Sequence, residues 1–120
     1  MKKIAIVDDE RDINELIEHY LGRRNNFDIR TFDNPNYALS SILDKSFDLV
    51  LLDINMPHKN GIEMLREIKE KNMKTKVIMM TADSTLEKVV ECKKIGASDY
   101  LTKPFVSLRD VENKILDNLD

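Results

Sequence analysis

The sequence predicts an α/β fold: a doubly wound sheet of five parallel strands in the order 2-1-3-4-5, with helices on both faces. Three observations predict it. The apolar runs "KIAIV" (3–7), "FDLVLL" (47–52) and "KVIMM" (76–80) are nearly continuous rather than alternating, the pattern of parallel strands covered on both sides. The segments between such runs carry apolar residues at helical spacing. Polar and charged residues collect just past the ends of the runs, where open sheets of this kind bind ligands.

The first strand, 3–7, runs straight into the acids of "VDDE". Ile13, Leu16, Ile17, Tyr20 and Leu21 follow the i, i+3, i+4, i+7, i+8 rule of a first helix, with Gly22 as its expected end. "FDIRTF" (27–32) alternates polar and apolar residues and reads as an edge strand. Asn34-Pro35 supplies a cap and a first-turn residue for a second helix carrying Ala38, Leu39, Ile42 and Leu43. After the third strand, Asn60 with Glu63 resembles a capping box, and Ser84 with Glu87 repeats the pattern after the fourth. "DYLT" (99–102) is a short second edge, and Leu108, Val111, Ile115 and Leu119 form the stripe of the last helix. Five strand–helix repeats imply right-handed crossovers. With 27–32 and 99–102 at the edges, the order is flavodoxin-like.

The 120 residues show no linker, so one domain spanning 1–120 is expected. Nineteen basic and 22 acidic residues give a net charge of −3, which argues against a broad basic field for nucleic acid or membrane. A single cysteine, Cys92, suits a reducing compartment. The start "MKK" leads into a short apolar run that meets acids, unlike a signal peptide or a membrane span. A cytoplasmic location is the expectation.

The predicted topology brings four chain segments to one rim: Asp8 and Asp9, Asp53, Thr81, and Lys103. Two carboxylates ~4 Å apart at an effective dielectric of ~20 repel by about 4 kcal/mol. Either one carboxyl keeps a proton or a cation sits among them. Hard oxygen ligands suit Mg²⁺, and the sequence offers no Cys/His set for zinc. A plainer reading stands beside this one, in which Asp9 or Glu10 merely favours the dipole of the following helix.

Taken together, the acidic pair Asp8-Asp9, "LVLLDINMPHKNGIE" around Asp53, "VIMMTAD" around Thr81 and "GASDYLTKPF" around Lys103 resemble the receiver domain of two-component response regulators, including its chemotaxis members. The likeness runs the length of the chain. It implies that Asp53 accepts a phosphoryl group from a phosphohistidine on a histidine kinase or phosphotransfer protein. It implies Mg²⁺ held by Asp8, Asp9, Asp53 and the backbone carbonyl of Asn55. Lys103, preceding a cis Lys103-Pro104 bond, would pair with the phosphoryl oxygens, the Thr81 hydroxyl would bond to them, and Tyr100 would swing inward as Thr81 moves.

Asn55 and Asp83, two residues after Asp53 and Thr81, are expected to flank an attacking water and so tune the phosphoryl lifetime. The face made by the helix 84–95, strand 99–102 and the last helix is expected to bind a downstream protein. On this reading the chain is a signalling receiver that catalyses only its own phosphoryl uptake and loss, with no direct nucleic acid or membrane contact. A free-standing regulator is the expectation, and a receiver cut from a DNA-binding regulator the alternative. "SLRDVENKILDNLD" departs from the last-helix sequence of the DNA-binding members' receiver dimers. A Mg-dependent aspartyl-phosphate phosphohydrolase fits less well, because "VDDERD" lacks the D-x-D-x-[TV] spacing. His19 and His58 read as surface residues, Cys92 as a half-buried structural thiol, and Met79 and Met80 as core.

Overall fold

The computed structural model describes residues 1–72, 74–82 and 85–119. Strands and helices alternate along the chain: β1 (Lys2–Val7), α1 (Arg11–Arg24), β2 (Phe27–Phe32), α2 (Pro35–Asp44), β3 (Leu49–Asp53), α3 (Gly61–Lys71), β4 (Lys76–Thr81), α4 (Leu86–Ile95), β5 (Asp99–Thr102) and α5 (Leu108–Leu119). The strands form one parallel sheet in the order β2-β1-β3-β4-β5, as the sequence predicts. The third strand begins two residues later than the apolar run and takes in Asp53 as its last residue.

Continuous apolar runs are explained by the two layers they feed. Successive side chains of a strand point to opposite faces. Ala5, Val7, Val50, Leu52, Val77 and Met79 pack with Ala38 and Ile42 of α2, Met64, Leu65 and Ile68 of α3, and Cys92 of α4. Their neighbours Ile4, Ile6, Leu49, Leu51, Ile78 and Met80 pack with Ile17 and Leu21 of α1 and Val111 and Ile115 of α5. Each fully buried Ile or Leu contributes about 1.5–3 kcal/mol, so both layers depend on the central residues of β1, β3 and β4 being apolar at consecutive positions. The helical stripes are narrower than expected: Leu16 is 49% and Leu43 40% exposed. Each sits at the margin of an apolar face whose centre, Ile17 and Ile42, is buried.

Caps follow the sequence where side chains make them. Asn34 Oδ1 accepts from the N–H groups of Asn36 and Tyr37 at the start of α2, and Asn60 Oδ1 from Ile62 N–H at the start of α3. Helix α4 is capped at Thr85; the box expected at Ser84 lies outside the described residues. Among the described residues no helix is long and apolar enough to cross a membrane.

The expected end of α1 is corrected. The helix continues through Gly22 to Arg24, and Asn25 N–H closes it on Leu21 O at 2.9 Å. Tertiary contacts hold this extra turn. Glu112 of α5, 6% exposed, accepts from Arg24 Nε at 3.1 and 3.2 Å and from Asn25 Nδ2 at 2.8 Å. A Cβ at Gly22 would have no neighbour within 4 Å, so the glycine there carries its entropic cost without a steric need. Gly22→Ala should therefore raise stability by about 0.5–1 kcal/mol, read as a higher midpoint in equilibrium urea unfolding.

Candidate functional site

The carboxyl ends of β1, β3, β4 and β5 meet at one rim. β1 delivers Asp8, which is 0% exposed. Its N–H donates to Phe32 O at 3.1 Å, and its Oδ1 accepts from Glu10 N–H at 2.9 Å. The first acid of "VDDE" thus closes the turn into α1. Glu10 is the N-cap residue of α1, and its side chain makes no cap bond.

Asp53 ends β3 and is 4% exposed. Its carboxylate accepts from the Asn55 backbone N–H. The chain beyond it is fixed by Ile54 N–H to Met80 O (3.0 Å) and Gly61 N–H to Ile54 O (2.8 Å). Gly61 lies so close to the strand end that a Cβ there would stand 2.1 Å from Asp53 O. Only glycine permits that approach. Thr81 ends β4 and is buried; its carbonyl accepts from Lys103 N–H at 2.8 Å. The chain that carries the ammonium is thereby tied to the strand that carries the hydroxyl. The Lys103-Pro104 bond is cis.

Lys103 Nζ lies 2.5 Å from Asp8 Oδ2, 3.4 Å from Glu10 Oε1 and 3.6 Å from Asp53 Oδ1. Burial works to lower its pKa, but the contact with Asp8 and the charges of Asp53 and Glu10 outweigh burial and hold it above the ordinary lysine value. Burial, then the neighbouring Asp8 charge, push the Asp53 carboxyl up to about 7, against the pull of Lys103 and the Asn55 N–H; Asp9 adds a smaller push. The cluster thus meets its carboxylate repulsion with an internal cation, Lys103, and with a raised Asp53 pKa.

One oxygen of each of Asp8, Asp9 and Asp53 lies within 4.8 Å of the others. Asp8 Oδ2 is buried and takes its charge partner from the Lys103 ammonium. Three hard carboxylate oxygens gathered this closely, with no histidine or cysteine in the group among the described residues, fit a small divalent cation such as Mg²⁺.

The other expected residues fall as follows. Tyr100 is not at the rim; it pairs with Met79 in the sheet and packs with the α2–α3–α4 layer. Lys114 Nζ of α5 donates to Tyr100 O at 2.6 Å and sits 5.0 Å from its ring centre. Asn55 is exposed and adjoins the site through its backbone, and Asp83 lies outside the described residues. His19 and His58 are exposed. Cys92 is buried rather than half-buried, and burial pushes its thiol up. Three contributors escape the sequence reading: Glu10, Gly61 and Asn14, the last buried beneath Asp8. An asparagine in phase with Ile17 and Leu21, the buried positions of α1, is the signal that could have found Asn14.

Residues 4–115 match the family model described as the response regulator receiver domain. The chain belongs to the response regulator receiver family. The receiver is 40% identical over 103 residues to the transcriptional regulatory protein FlgR of Helicobacter pylori, covering 86% of this chain and 26% of FlgR. It thus spans about a quarter of that relative's length. A CheY-like receiver domain protein of Methanospirillum hungatei superposes with a TM-score of 0.94 at 32% identity, covering 100% of this chain and 94% of that one. Response regulator protein TrrA of Thermotoga maritima, described in complex with Mg(2+)-BeF, gives a TM-score of 0.87 at 33% identity over 99% of this chain and 100% of that one. Receivers are signalling switches of two-component systems, and this one carries its acidic cluster at the rim just described.

The raised Asp53 pKa has a defined pH signature. An unfolded aspartate loses its proton near pH 4, whereas Asp53 in the folded receiver keeps it to about 7. Between those values the folded state binds the extra proton, so stability falls as pH rises from about 4 to about 7. In chelator, wild type should lose stability relative to Asp53→Asn across that window, and Asp53→Asn should be the more stable protein at pH 7.5. Urea unfolding of both proteins at several pH values checks this; a parallel pH dependence would contradict the assignment.

Proposed function

We propose that the receiver is a phosphorylation-activated switch whose acceptor is Asp53. The observation that carries the reading is the convergence of Asp8, Asp53 and Lys103, with the ammonium spanning both carboxylates. The donor is a phosphohistidine on a sensor kinase or phosphotransfer protein. An Asp53 carboxylate oxygen attacks phosphorus, the O–P bond forms as the N–P bond breaks, and the electron pair leaves with the imidazole nitrogen, which takes up a proton. In-line transfer asks for little beyond a positioned nucleophile and neutralisation of the equatorial oxygens. Asp8, Asp9, Asp53 and the carbonyl of Asn55 would hold Mg²⁺, which would supply Lewis-acid stabilisation of the charge on those oxygens. Lys103 supplies the second positive charge by moving from Asp8 towards the phosphoryl group, and Thr81 donates its hydroxyl. Asn55, with Asp83, sets the lifetime by orienting water.

Moving a population from about 1:99 to 99:1 takes roughly 5.5 kcal/mol of differential interaction. New hydrogen bonds to a charged group contribute about 1.5–3 kcal/mol each, so Thr81, Lys103 and a backbone amide suffice. The element they bias is α4 with β5, through Tyr100, and the output face is α4–β5–α5. Leu116 on α5 is an exposed apolar residue of that part of the chain, whereas the exposed Leu86 and Val90 of α4 line a groove with Arg66 and Lys69 of α3. We propose a single free-standing receiver domain working in the cytoplasm. The span of only 26% of FlgR favours a second reading, in which the same switch is one part of a longer transcription factor.

The test is intact mass after incubation with acetyl phosphate. Wild type should gain one phosphoryl group with Mg²⁺ present and none in chelator, and Asp53→Asn should gain none. Phosphorylation should also change amide exchange across α4, β5 and α5. A mass gain in Asp53→Asn would move the acceptor elsewhere, and unchanged exchange would remove that face from the mechanism.

A further inference from the structure

We infer that Asn14 is a positioning residue for the acidic site, holding Asp8 through its backbone. The inference deepens the phosphoryl-switch reading above and rests on it for its functional meaning. Asn14 lies in the first turns of α1 and is 3% exposed. Its Nδ2 donates to Asp8 O at 2.9 Å and to Phe32 O at 3.2 Å. One amide group therefore bridges the ends of two neighbouring strands immediately beneath the carboxylate cluster. The orientation of the amide is fixed by these partners, because the reverse orientation would set its oxygen against two carbonyl oxygens.

The clamp completes the restraint of Asp8. Its N–H is held by Phe32 O, its carbonyl by Asn14, its Oδ1 by Glu10 N–H, and its Oδ2 by the Lys103 charge. Three of these contacts fix the residue whichever way Lys103 turns. The fourth is the one that changes when Lys103 leaves for a phosphoryl group. Asp8 would then lose its lysine partner while still having to hold its place as a metal ligand, on a backbone that must not follow the lysine. Asn14 supplies that resistance from α1, whose buried positions Ile17 and Leu21 pack against the sheet.

A merely space-filling role does not explain the residue. Asn14 Oδ1 is buried without a hydrogen-bond partner, so the side chain leaves an acceptor unsatisfied where an apolar residue would leave none. What the asparagine offers in return is its pair of donors. Partners behind a metal ligand commonly change affinity by about 10–100-fold when removed, although here the link runs through the ligand's own backbone.

The test compares wild type, Asn14→Ala and Ile42→Val, the last altering the opposite layer of the core. Two quantities are read on folded protein: Mg²⁺ affinity by calorimetry, and hydrogen exchange of the Glu10 amide in chelator, which reports the hold on Asp8 Oδ1 without any metal. Asn14→Ala should weaken Mg²⁺ binding on the order of 10-fold and speed Glu10 exchange, while Ile42→Val leaves both as in wild type. Unchanged Glu10 exchange in Asn14→Ala, or Mg²⁺ affinity equal to that of a Mg²⁺-binding wild type, overturns the inference. If wild type itself binds no Mg²⁺, the metal reading of the site fails, and Glu10 exchange alone still decides whether Asn14 holds Asp8. Should Asn14→Ala not fold, Asn14→Ser, which keeps one donor, is measured in the same way with a smaller effect of the same sign.

Discussion

The carboxyl edge of the sheet depends on a lysine ammonium held among carboxylates that have almost no contact with water. Asp8 and Asp53 are buried, and the effective penalty for removing one such ion from water is several kcal/mol. Lys103 answers both at once, at 2.5 and 3.6 Å. Its reach is set by the bond from its own N–H to Thr81 O, so the sheet itself fixes the cation. The arrangement is stable only while the lysine stays. Under the proposed switch, the same contact is a support in one state and a reserve of charge for the other.

Around it the fold is divided into two unequal layers. Helices α1 and α5 cover one face of the sheet, and α2, α3 and α4 the other. The buried Glu112, with Arg24 and Asn25, ties α1 to α5. Among the described residues buried acids therefore occur in two places, and their surroundings differ. Glu112 accepts from Arg24 and Asn25, whereas Asp8 and Asp53 share one ammonium, and burial with the Asp8 charge raises the Asp53 carboxyl to about 7. The first acid joins two helices; the other two crowd one rim of the sheet.

Much of this was legible in the sequence, for physical reasons. Strands buried on both faces must be apolar at every position, which made β1, β3 and β4 plain and fixed the topology. The site residues at strand ends followed from that topology together with the motif around each. What failed was whatever depends on contacts between distant segments. Gly22 has the composition of a helix end, yet Glu112, 88 residues beyond Arg24, draws the helix past it. Leu16 and Leu43 belong to the helical period but lie beyond the width of the face that the sheet covers. Asn14 and Gly61 act on backbone carbonyls, and a carbonyl leaves no mark in a sequence. The rise in the Asp53 pKa needed the burial and the neighbouring charge, neither visible until the chain is folded.

The alternation of strand residues between the two layers has a consequence for length. Asp53 continues the parity of Leu49 and Leu51, which face the α1–α5 layer, and Asp8 follows directly on Val7, the last residue of β1. Deleting or inserting one residue inside β1 or β3 would change the composition hardly at all, yet it would move every strand side chain beyond that point from one layer to the other. The acid would then be turned away from its partners. Length changes belong in the loops, and the strands behave as rulers that set where the carboxylates stand.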